Sequence, residues 1–125
     1  MKETWLKMEM LVDLGLTKSI GVSNYNVENL FNILSICEIK PVVNEVEFHP
    51  YLYQKDLKDF CDKEEIVLFA YNPLVKGEYV DREVTINKRL DLFRDQRINY
   101  LKNHYFRKYN FTKGQIIPNF HIFKY

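Results

Sequence analysis

The sequence predicts an α/β fold with a parallel sheet, and three observations support this. Short apolar strands recur with centres near residues 20, 44 and 68, which is an almost equal spacing. Each strand runs into a polar corner, and segments with helical periodicity separate the strands. One βα unit repeated three times therefore describes residues 1–75 best. Ligands of such folds bind at the carboxyl ends of the strands, so the polar corners are the first candidates for a functional site.

Length and composition indicate one globular domain. The chain has 125 residues, of which 46% are hydrophobic and 28% charged, a balance that is not typical of disorder. It holds no uncharged apolar run of about 18 residues, which would predict a membrane span. Its first residues lack the apolar core of a signal peptide, so we expect none. The net charge of +1 hides an asymmetry. Residues 1–75 hold 7 Lys or Arg against 12 Asp or Glu, whereas residues 76–125 hold 11 against 5.

The two cysteines, Cys37 and Cys61, lie in apolar helical patterns and have no metal-ligand spacing. We expect buried, reduced thiols rather than a disulfide, and no metal site. Reduced cysteines predict a cytoplasmic location.

The first element is predicted to be a helix over Thr4–Leu14, because apolar residues recur there at steps of three and four. Gly15 is placed to end it in the left-handed conformation. A strand over Ile20–Val22 follows and runs into Ser23 and Asn24.

A second helix follows this corner. Asn26 is predicted to cap it, and Glu28 lies in its first turn. Its apolar stripe is formed by Val27, Leu30, Phe31 and Leu34.

The second strand begins after Pro41 and alternates in polarity. One face holds Val42, Asn44, Val46 and Phe48, and the other holds Val43, Glu45 and Glu47. Paired carboxylates can indicate general acid/base chemistry. The alternative, which we favour, is that Glu47 is hydrogen-bonded to structural partners and that only Glu45 meets a ligand.

The third unit ends in a second set of polar residues. Its helix presents an apolar stripe of Leu57, Phe60 and Cys61. Ile66–Tyr71 is a continuous apolar run, which predicts a buried parallel strand. Tyr71 and Asn72 lie at its carboxyl end, before Pro73. His49, which precedes a proline in the loop after the second strand, is interpreted as structural.

Three segments carry a resemblance to a known family. They are Met8–Tyr25, which includes Lys18 and the run Ile-Gly-Val-Ser-Asn-Tyr, then Val43–Tyr51, and then Ala70–Leu74. In this order and at this spacing, they make residues 3–117 resemble the aldo-keto reductase family. The match covers roughly the second half of the family's barrel without its last strand.

The resemblance implies a partial (β/α)8 TIM barrel with about three parallel strands and flanking helices. It also implies an oxidoreductase that reduces small aldehydes or ketones with NADPH, with NADH possible. Ser23 and Asn24 would hydrogen-bond the nicotinamide carboxamide, and Tyr71 would stack on the nicotinamide ring. Asn72 and Leu74 would lie along the pyrophosphate.

The sequence departs from the family at Glu45, where the family usually has a Gln that contacts the carboxamide. A carboxylate only accepts hydrogen bonds and adds a negative charge. We therefore expect Glu45 to remain a cofactor-binding position with altered affinity.

The family's catalytic Asp, Tyr, Lys and His lie on strands that precede the matched segment, so none has a counterpart in these 125 residues. We therefore expect this chain alone to be inactive. The alternative is a non-enzymatic binding or interaction module derived from the fold. Three strands in a row leave two free edges, so we expect the isolated chain to self-associate, to aggregate or to remain loosely packed.

The last third of the chain mixes basic and aromatic residues, which can indicate a nucleic-acid surface. They are Arg94, Arg97, Lys102, Arg107 and Lys108, with Tyr100, Tyr105, Phe106 and Tyr109. We favour the alternative, an amphipathic helix with a solvated basic face, and expect neither nucleic acid nor a membrane as partner.

The domain prediction is a single incomplete domain over residues 1–125. Residues 1–75 form the βα units, and residues 76–125 form a loop and helices. Leu90–Asn110 resembles the family's next helical region, with Ile98, Leu101, Tyr105 and Tyr109 on one unpartnered side. Pro118 falls inside the following helix, and the pattern is lost after residue 117.

Overall fold

A computed structural model describes residues 2–75, 92–104 and 106–122 of the chain. The contacts form two compact units. The first consists of Met1–Val46 and Gln54–Tyr71, and the second of Glu47–Tyr53 and Asn72–Tyr125. Whether the whole chain acts as the single domain expected from its length stays a prediction.

The first unit carries a three-stranded sheet with helices between its strands. The elements are α1 (Lys2–Asp13), β1 (Val22–Ser23), α2 (Val27–Leu34), β2 (Val43–Glu47), α3 (Lys55–Lys63) and β3 (Val67–Tyr71). The strand order is β1-β2-β3, and β1 and β2 run parallel with Ser23 opposite Glu45. The predicted fold class and the predicted order of strands are confirmed.

Helix α1 ends as predicted at a left-handed glycine. Gly15 has φ 69°, and its N–H donates to the Val12 carbonyl at 2.9 Å. The next N–H, of Leu16, donates to the Leu11 carbonyl at 2.9 Å. These bonds satisfy carbonyls that the end of a helix leaves without intrahelical partners.

Helix α2 begins with the predicted cap, because Asn26 Oδ1 accepts from the Asn29 N–H at 2.8 Å. The predicted apolar stripe is wrong at Phe31, whose side chain is 64% exposed. Ile33 takes its place and is fully buried beside Leu30. A step of three residues keeps Ile33 on the face of Leu30, whereas Phe31 is turned about 100° away.

The strands differ from the prediction in extent and in burial. Strand β1 begins two residues later than predicted, although the Val42 N–H still donates to the Ile20 carbonyl at 3.0 Å. Strand β3 is not buried on both faces, because Val67 is 62% and Phe69 57% exposed. The described residues cover only one face of this sheet, so alternate side chains of β3 stay exposed. Val42, which precedes β2, is also exposed, whereas Asn44, Val46 and Phe48 of the same predicted face are buried.

A buried carboxylate holds the chain that leads into β2. Glu9 is 5% exposed, and its Oε1 accepts from the Glu38 and Ile39 N–H groups at 2.8 and 3.0 Å. Trp5 Nε1 donates to the Ile39 carbonyl at 3.1 Å. The core of the first unit is built around Trp5, Ile20 and Ile33.

The second unit is helical. Its elements are α4 (Gln96–His104), a 3-10 helix over Arg107–Tyr109, α5 (Lys113–Ile116) and a 3-10 helix over Ile117–Ile122. Ile98 and Leu101 of α4 are buried against Leu92 and Ile117, so the prediction that this stripe lacks partners is wrong. Tyr109 is 56% exposed, because α4 ends five residues before it. Leu90 and Tyr105, also predicted in this region, lie outside the described residues.

Pro118 changes the helix type rather than ending all regular structure. Helix α5 stops at Ile116, and the chain continues for six residues as a 3-10 helix. Proline cannot donate the backbone bond that an α-helix needs at this position. The expected loss of the family's sequence pattern after residue 117 stays a prediction. None of the described helices has the length and apolar character that crossing a membrane requires.

Candidate functional site

The polar corner after Gly21 is held by the backbone of β2. The Glu45 carbonyl accepts two hydrogen bonds, from Ser23 Oγ and from the Asn24 N–H, both at 2.9 Å. Asn24 has φ 58°, a left-handed conformation that asparagine tolerates better than most residues. Ser23 was predicted to follow the strand, but it is part of β1.

A buried amide fixes the next residue of the corner. Asn44 is fully buried in the middle of β2. Its Nδ2 donates to the Tyr25 carbonyl at 2.8 Å, and its Oδ1 accepts from the Tyr25 N–H at 3.3 Å. The sequence analysis missed this role. The signal was a polar residue between Val42 and Val46 on a face that is otherwise apolar.

The corner is also joined to the end of β3. Tyr71 Oη donates to Asn24 Oδ1 at 3.1 Å, and the tyrosine remains 36% exposed. This bond uses the oxygen of the Asn24 amide, and no described residue accepts from its Nδ2. Ser23, Asn24 and Tyr71 are thus brought together at the carboxyl ends of β1 and β3, and Glu45 lies beside them in the middle of β2, opposite Ser23.

A cavity of about 460 Å³ opens on the exposed face of the sheet. Its lining residues are Gly21, Val22, Ser23, Val43, Glu45 and Phe69. Gly21 is required at this point, because a Cβ there would lie 2.3 Å from Val43 Cγ1 and 2.8 Å from the Val43 carbonyl oxygen. The sequence analysis did not single out Phe69, because its place in a continuous apolar run gave no sign of which face it would line.

The two carboxylates of β2 differ in their surroundings. Glu47 Oε1 accepts from Asn72 Nδ2 at 2.7 Å and lies 3.4 Å from His49 Nε2. Glu45 is exposed, and no described residue forms a hydrogen bond or an ion pair with its carboxylate. The favoured alternative is therefore confirmed for Glu47, which has structural partners.

Asn72 and Leu74, the remaining predicted site residues, belong to the second unit. The Asn72 side-chain amide donates to Glu47, and its backbone has φ 53°. Leu74 packs against the cluster that includes Leu92 and Ile117. The side chains of both residues are thus used within the unit, and a contact of either with a cofactor stays a prediction.

A charged network lies at the start of α4. Asp95 accepts from Tyr51 Oη at 2.8 Å, from the Arg97 N–H at 2.8 Å and from Arg97 Nη2 at 2.7 Å. The Arg97 guanidinium holds the pKa of Asp95 well below its usual range, whereas burial and the bond to Asp95 raise the pKa of Tyr51. This network caps the helix. Arg97 was among the basic residues that could indicate a nucleic-acid surface. It forms an ion pair with Asp95 instead.

The cysteines are free, with Cys61 buried and Cys37 half-buried. Burial raises the pKa of both thiols, which makes them poor nucleophiles. Among the described residues, no cluster of His, Cys, Asp and Glu side chains is arranged to hold a metal ion.

Comparison with known proteins identifies the family. A family model described as the Aldo/keto reductase family matches residues 1–113. The chain belongs to the aldo/keto reductase family.

Individual relatives agree with this assignment. Aldose reductase B of Dictyostelium discoideum is 42% identical over 134 residues, which cover 99% of this chain and 42% of the relative. Aldose reductase C of the same organism is 61% identical over 77 residues, which cover 62% of this chain and 24% of the relative. The chain thus spans less than half the length of these relatives.

Solved structures support the fold. The aldose reductase from Schistosoma japonicum superposes with a TM-score of 0.76 at 28% identity, covering 95% of this chain and 33% of that one. An aldo-keto reductase solved in complex with NADPH also gives a TM-score of 0.76, at 36% identity, covering 91% of this chain and 33% of that one. The fold is a partial TIM barrel, as the resemblance implied.

Proposed function

We propose that this chain contributes the nicotinamide end of an NADPH site to a carbonyl reductase that acts on small aldehydes or ketones. The observation that carries the proposal is the convergence of Ser23, Asn24 and Tyr71 at the ends of β1 and β3 with Glu45 of β2, which lies opposite Ser23. When bound, the cofactor supplies the hydride that reduces the carbonyl carbon. NADH is the alternative cofactor, because the proposed contacts are with the nicotinamide and not with the phosphate that distinguishes NADPH from NADH.

The polar corner keeps one hydrogen-bond acceptor and one donor that can bind a primary amide. Ser23 Oγ gives its proton to the Glu45 carbonyl, so its free lone pair can accept from the carboxamide NH2. Asn24 Oδ1 is taken by Tyr71, so the Asn24 Nδ2 group is available to donate to the carboxamide oxygen. One acceptor and one donor on adjacent residues are what a carboxamide requires.

Tyr71 supplies the aromatic face. The hydrogen bond from its hydroxyl to Asn24 fixes the tilt of the ring, and a fixed ring loses less rotamer freedom when a flat ligand stacks on it. We assign Asn72 and Leu74 to the pyrophosphate through their backbone N–H groups, because Asn72 donates its side-chain amide to Glu47 and Leu74 packs in an apolar cluster.

We propose further that the 125 residues alone do not reduce carbonyls. The proton that the carbonyl oxygen requires must come from a positioned acid. No residue of this chain matches the family's catalytic Asp, Tyr, Lys and His. The purified chain is expected to show no carbonyl-dependent oxidation of NADPH above a control preparation, and turnover would contradict this.

The remaining parts of the proposal concern the chain's surroundings. We propose a cytoplasmic location, which the free thiols of Cys37 and Cys61 support. We also propose that the isolated chain self-associates, which the exposed Val67 and Phe69 on the sheet support. Neither a nucleic acid nor a membrane is part of the proposed function.

The test of the site removes one side chain without changing the backbone. Asn24→Gly deletes the amide but allows φ 58°, because glycine adopts left-handed conformations freely. We expect NADPH to bind the variant about tenfold more weakly, since about 1.4 kcal/mol is the loss expected for one hydrogen bond. Fluorescence titration of NADPH measures this affinity.

Asn110→Gly is the matched control, because Asn110 is also left-handed, with φ 52°, and lies in the second unit. It should leave the affinity unchanged. Equal affinities for Asn24→Gly and the unaltered chain would contradict the assignment of Asn24 to the carboxamide.

A further inference from the structure

Among the described residues that line the cavity on the sheet, one has an ionisable side chain. That residue is Glu45, and the other described lining residues are Gly21, Val22, Ser23, Val43 and Phe69. Ser23 and Glu45 are opposite each other on adjacent strands, and the hydroxyl of Ser23 bonds the backbone of Glu45 rather than its carboxylate. A single negative charge is thus presented beside the carboxamide-binding corner.

This charge has no cation to neutralise it within the described part of the chain. Glu45 forms no ion pair there, in contrast to Glu47, which has Asn72 and His49 as partners. The neighbouring Val43 and Phe69 side chains are apolar and offer the carboxylate no hydrogen bond. A carboxylate placed in this way attracts a cationic ligand more strongly than a neutral ligand of the same shape.

The oxidised and reduced forms of a nicotinamide differ in charge. The oxidised ring carries one positive charge and the reduced ring is neutral, while the carboxamide is the same in both. We propose that Glu45 makes this site bind the oxidised cofactor in preference to the reduced one, so that it determines the redox-state selectivity of the site. This inference rests on the proposed function, because it requires the ring to lie beside Ser23 and Asn24.

Exposure of Glu45 limits the size of the effect, because water screens a charge at the mouth of a cavity. We expect Glu45→Gln to change the ratio of the NADPH and NADP⁺ dissociation constants about tenfold in favour of NADPH. Tenfold corresponds to about 1.4 kcal/mol, or about 30 mV in the potential of a bound two-electron couple.

Isothermal titration calorimetry of the whole 125-residue chain with NADP⁺ and with NADPH tests the inference. The unaltered chain, Glu45→Gln and Glu3→Gln are compared. Glu3→Gln is the matched control, because the substitution removes the same charge from the exposed face of α1. The Glu3 side chain is 84% exposed. The ratio should shift in Glu45→Gln and stay constant in Glu3→Gln.

Salt provides a measurement that needs no variant. The preference of the unaltered chain for NADP⁺ relative to NADPH should shrink between about 10 mM and about 1 M salt, because screening weakens a charge interaction. Binding of both forms with a ratio that neither Glu45→Gln nor salt changes would overturn the inference alone. Binding of neither form would overturn the proposed function, and the inference with it.

Discussion

Two asparagines show how single residues shape the site. Asn24 follows β1 and Asn72 follows β3, and both have positive φ values, 58° and 53°. Asparagine is among the few residues other than glycine that adopt this conformation at low cost. Each amide then bonds a neighbouring element, Asn24 to Tyr71 and Asn72 to Glu47. Backbone conformation and side-chain bonding together stabilise the two strand ends.

The sequence predicted which residue types stand at these corners, because strand periodicity places them there. It did not predict the bonds of Asn44 or Glu9. Asn44 bonds a backbone 19 residues away, and Glu9 bonds two N–H groups 29 and 30 residues away. Such contacts depend on register and packing, which local periodicity does not contain. A polar residue on a predicted buried face was the available signal in both cases.

Asp95 is expected to make the second unit sensitive to acid. Its folded-state pKa is depressed, chiefly by the hydrogen bond from Arg97. A depressed pKa contributes stability that is fully present above the unfolded pKa of about 4 and is lost progressively as the pH falls from there through the lower folded pKa. Arg97 is 75% exposed, so solvent screening reduces the contribution to about 1 kcal/mol.

Asp95→Asn should therefore lower the stability of the chain at pH 7 and by less at pH 2, where part of the contribution of the carboxylate is lost. Thermal melting followed by far-UV circular dichroism at both pH values measures the difference. Asp59→Asn is the control, because Asp59 pairs with Lys55 on the exposed surface of α3. An equal loss of stability at both pH values would show that the charge of the Asp95 carboxylate does not stabilise the second unit.

At the scale of elements, the contact between β1 and β2 requires a residue without a side chain. Gly21 lies so close to Val43 that a methyl group would meet both its side chain and its carbonyl oxygen. The sequence placed Gly21 in a strand, where glycine often marks a close approach of backbones. It did not identify the partner, because the register of β1 on β2 is set by the sheet.

Gly21→Ala should separate β1 from β2 and destabilise the first unit by about 2 kcal/mol, within the range for overpacking of a well-packed site. Gly114→Ala is the matched control. A Cβ at Gly114 would meet only Thr112 Oγ1, at 3.9 Å, and alanine favours a helix by about 1 kcal/mol over glycine. The melting temperature should fall in the first variant and rise slightly in the second. A Gly21→Ala chain as stable as the unaltered one would contradict the packing described here.

At the scale of the whole molecule, the sequence predicted the fold class and the order of the strands. Equal strand spacing and three ordered motifs were sufficient for this. It did not predict that β3 would have one exposed face, because an apolar run does not reveal which of its faces is covered. It also did not predict that Ile98 and Leu101 would find partners in Leu92 and Ile117, since that packing joins distant segments.

The exposed face of the sheet is expected to make the isolated chain self-associate. Val67 and Phe69 are more than half exposed, and β1 and β3 are the edges of the described sheet. Size-exclusion chromatography with light scattering should show species larger than a monomer. The double variant Val67→Thr/Phe69→Thr should shift the chain towards the monomer.

Phe31→Thr is the control for this prediction, because Phe31 is 64% exposed on α2 rather than on the sheet. It should leave the association unchanged. A sharp monomer peak for the unaltered chain, with a strong near-UV circular dichroism signal, would show that the partial barrel is self-sufficient. The binding-module alternative would then gain over the incomplete enzyme.

The central claim is that this chain holds the nicotinamide end of the cofactor. Saturation-transfer NMR of NADPH with the 125-residue chain tests it most directly, because the method reports which protons of a ligand contact the protein. The account predicts strong saturation of the nicotinamide protons and weak saturation of the adenine protons, since the proposed contacts are made by Ser23, Asn24, Glu45 and Tyr71. Saturation concentrated on the adenine, or none on either ring, would contradict it.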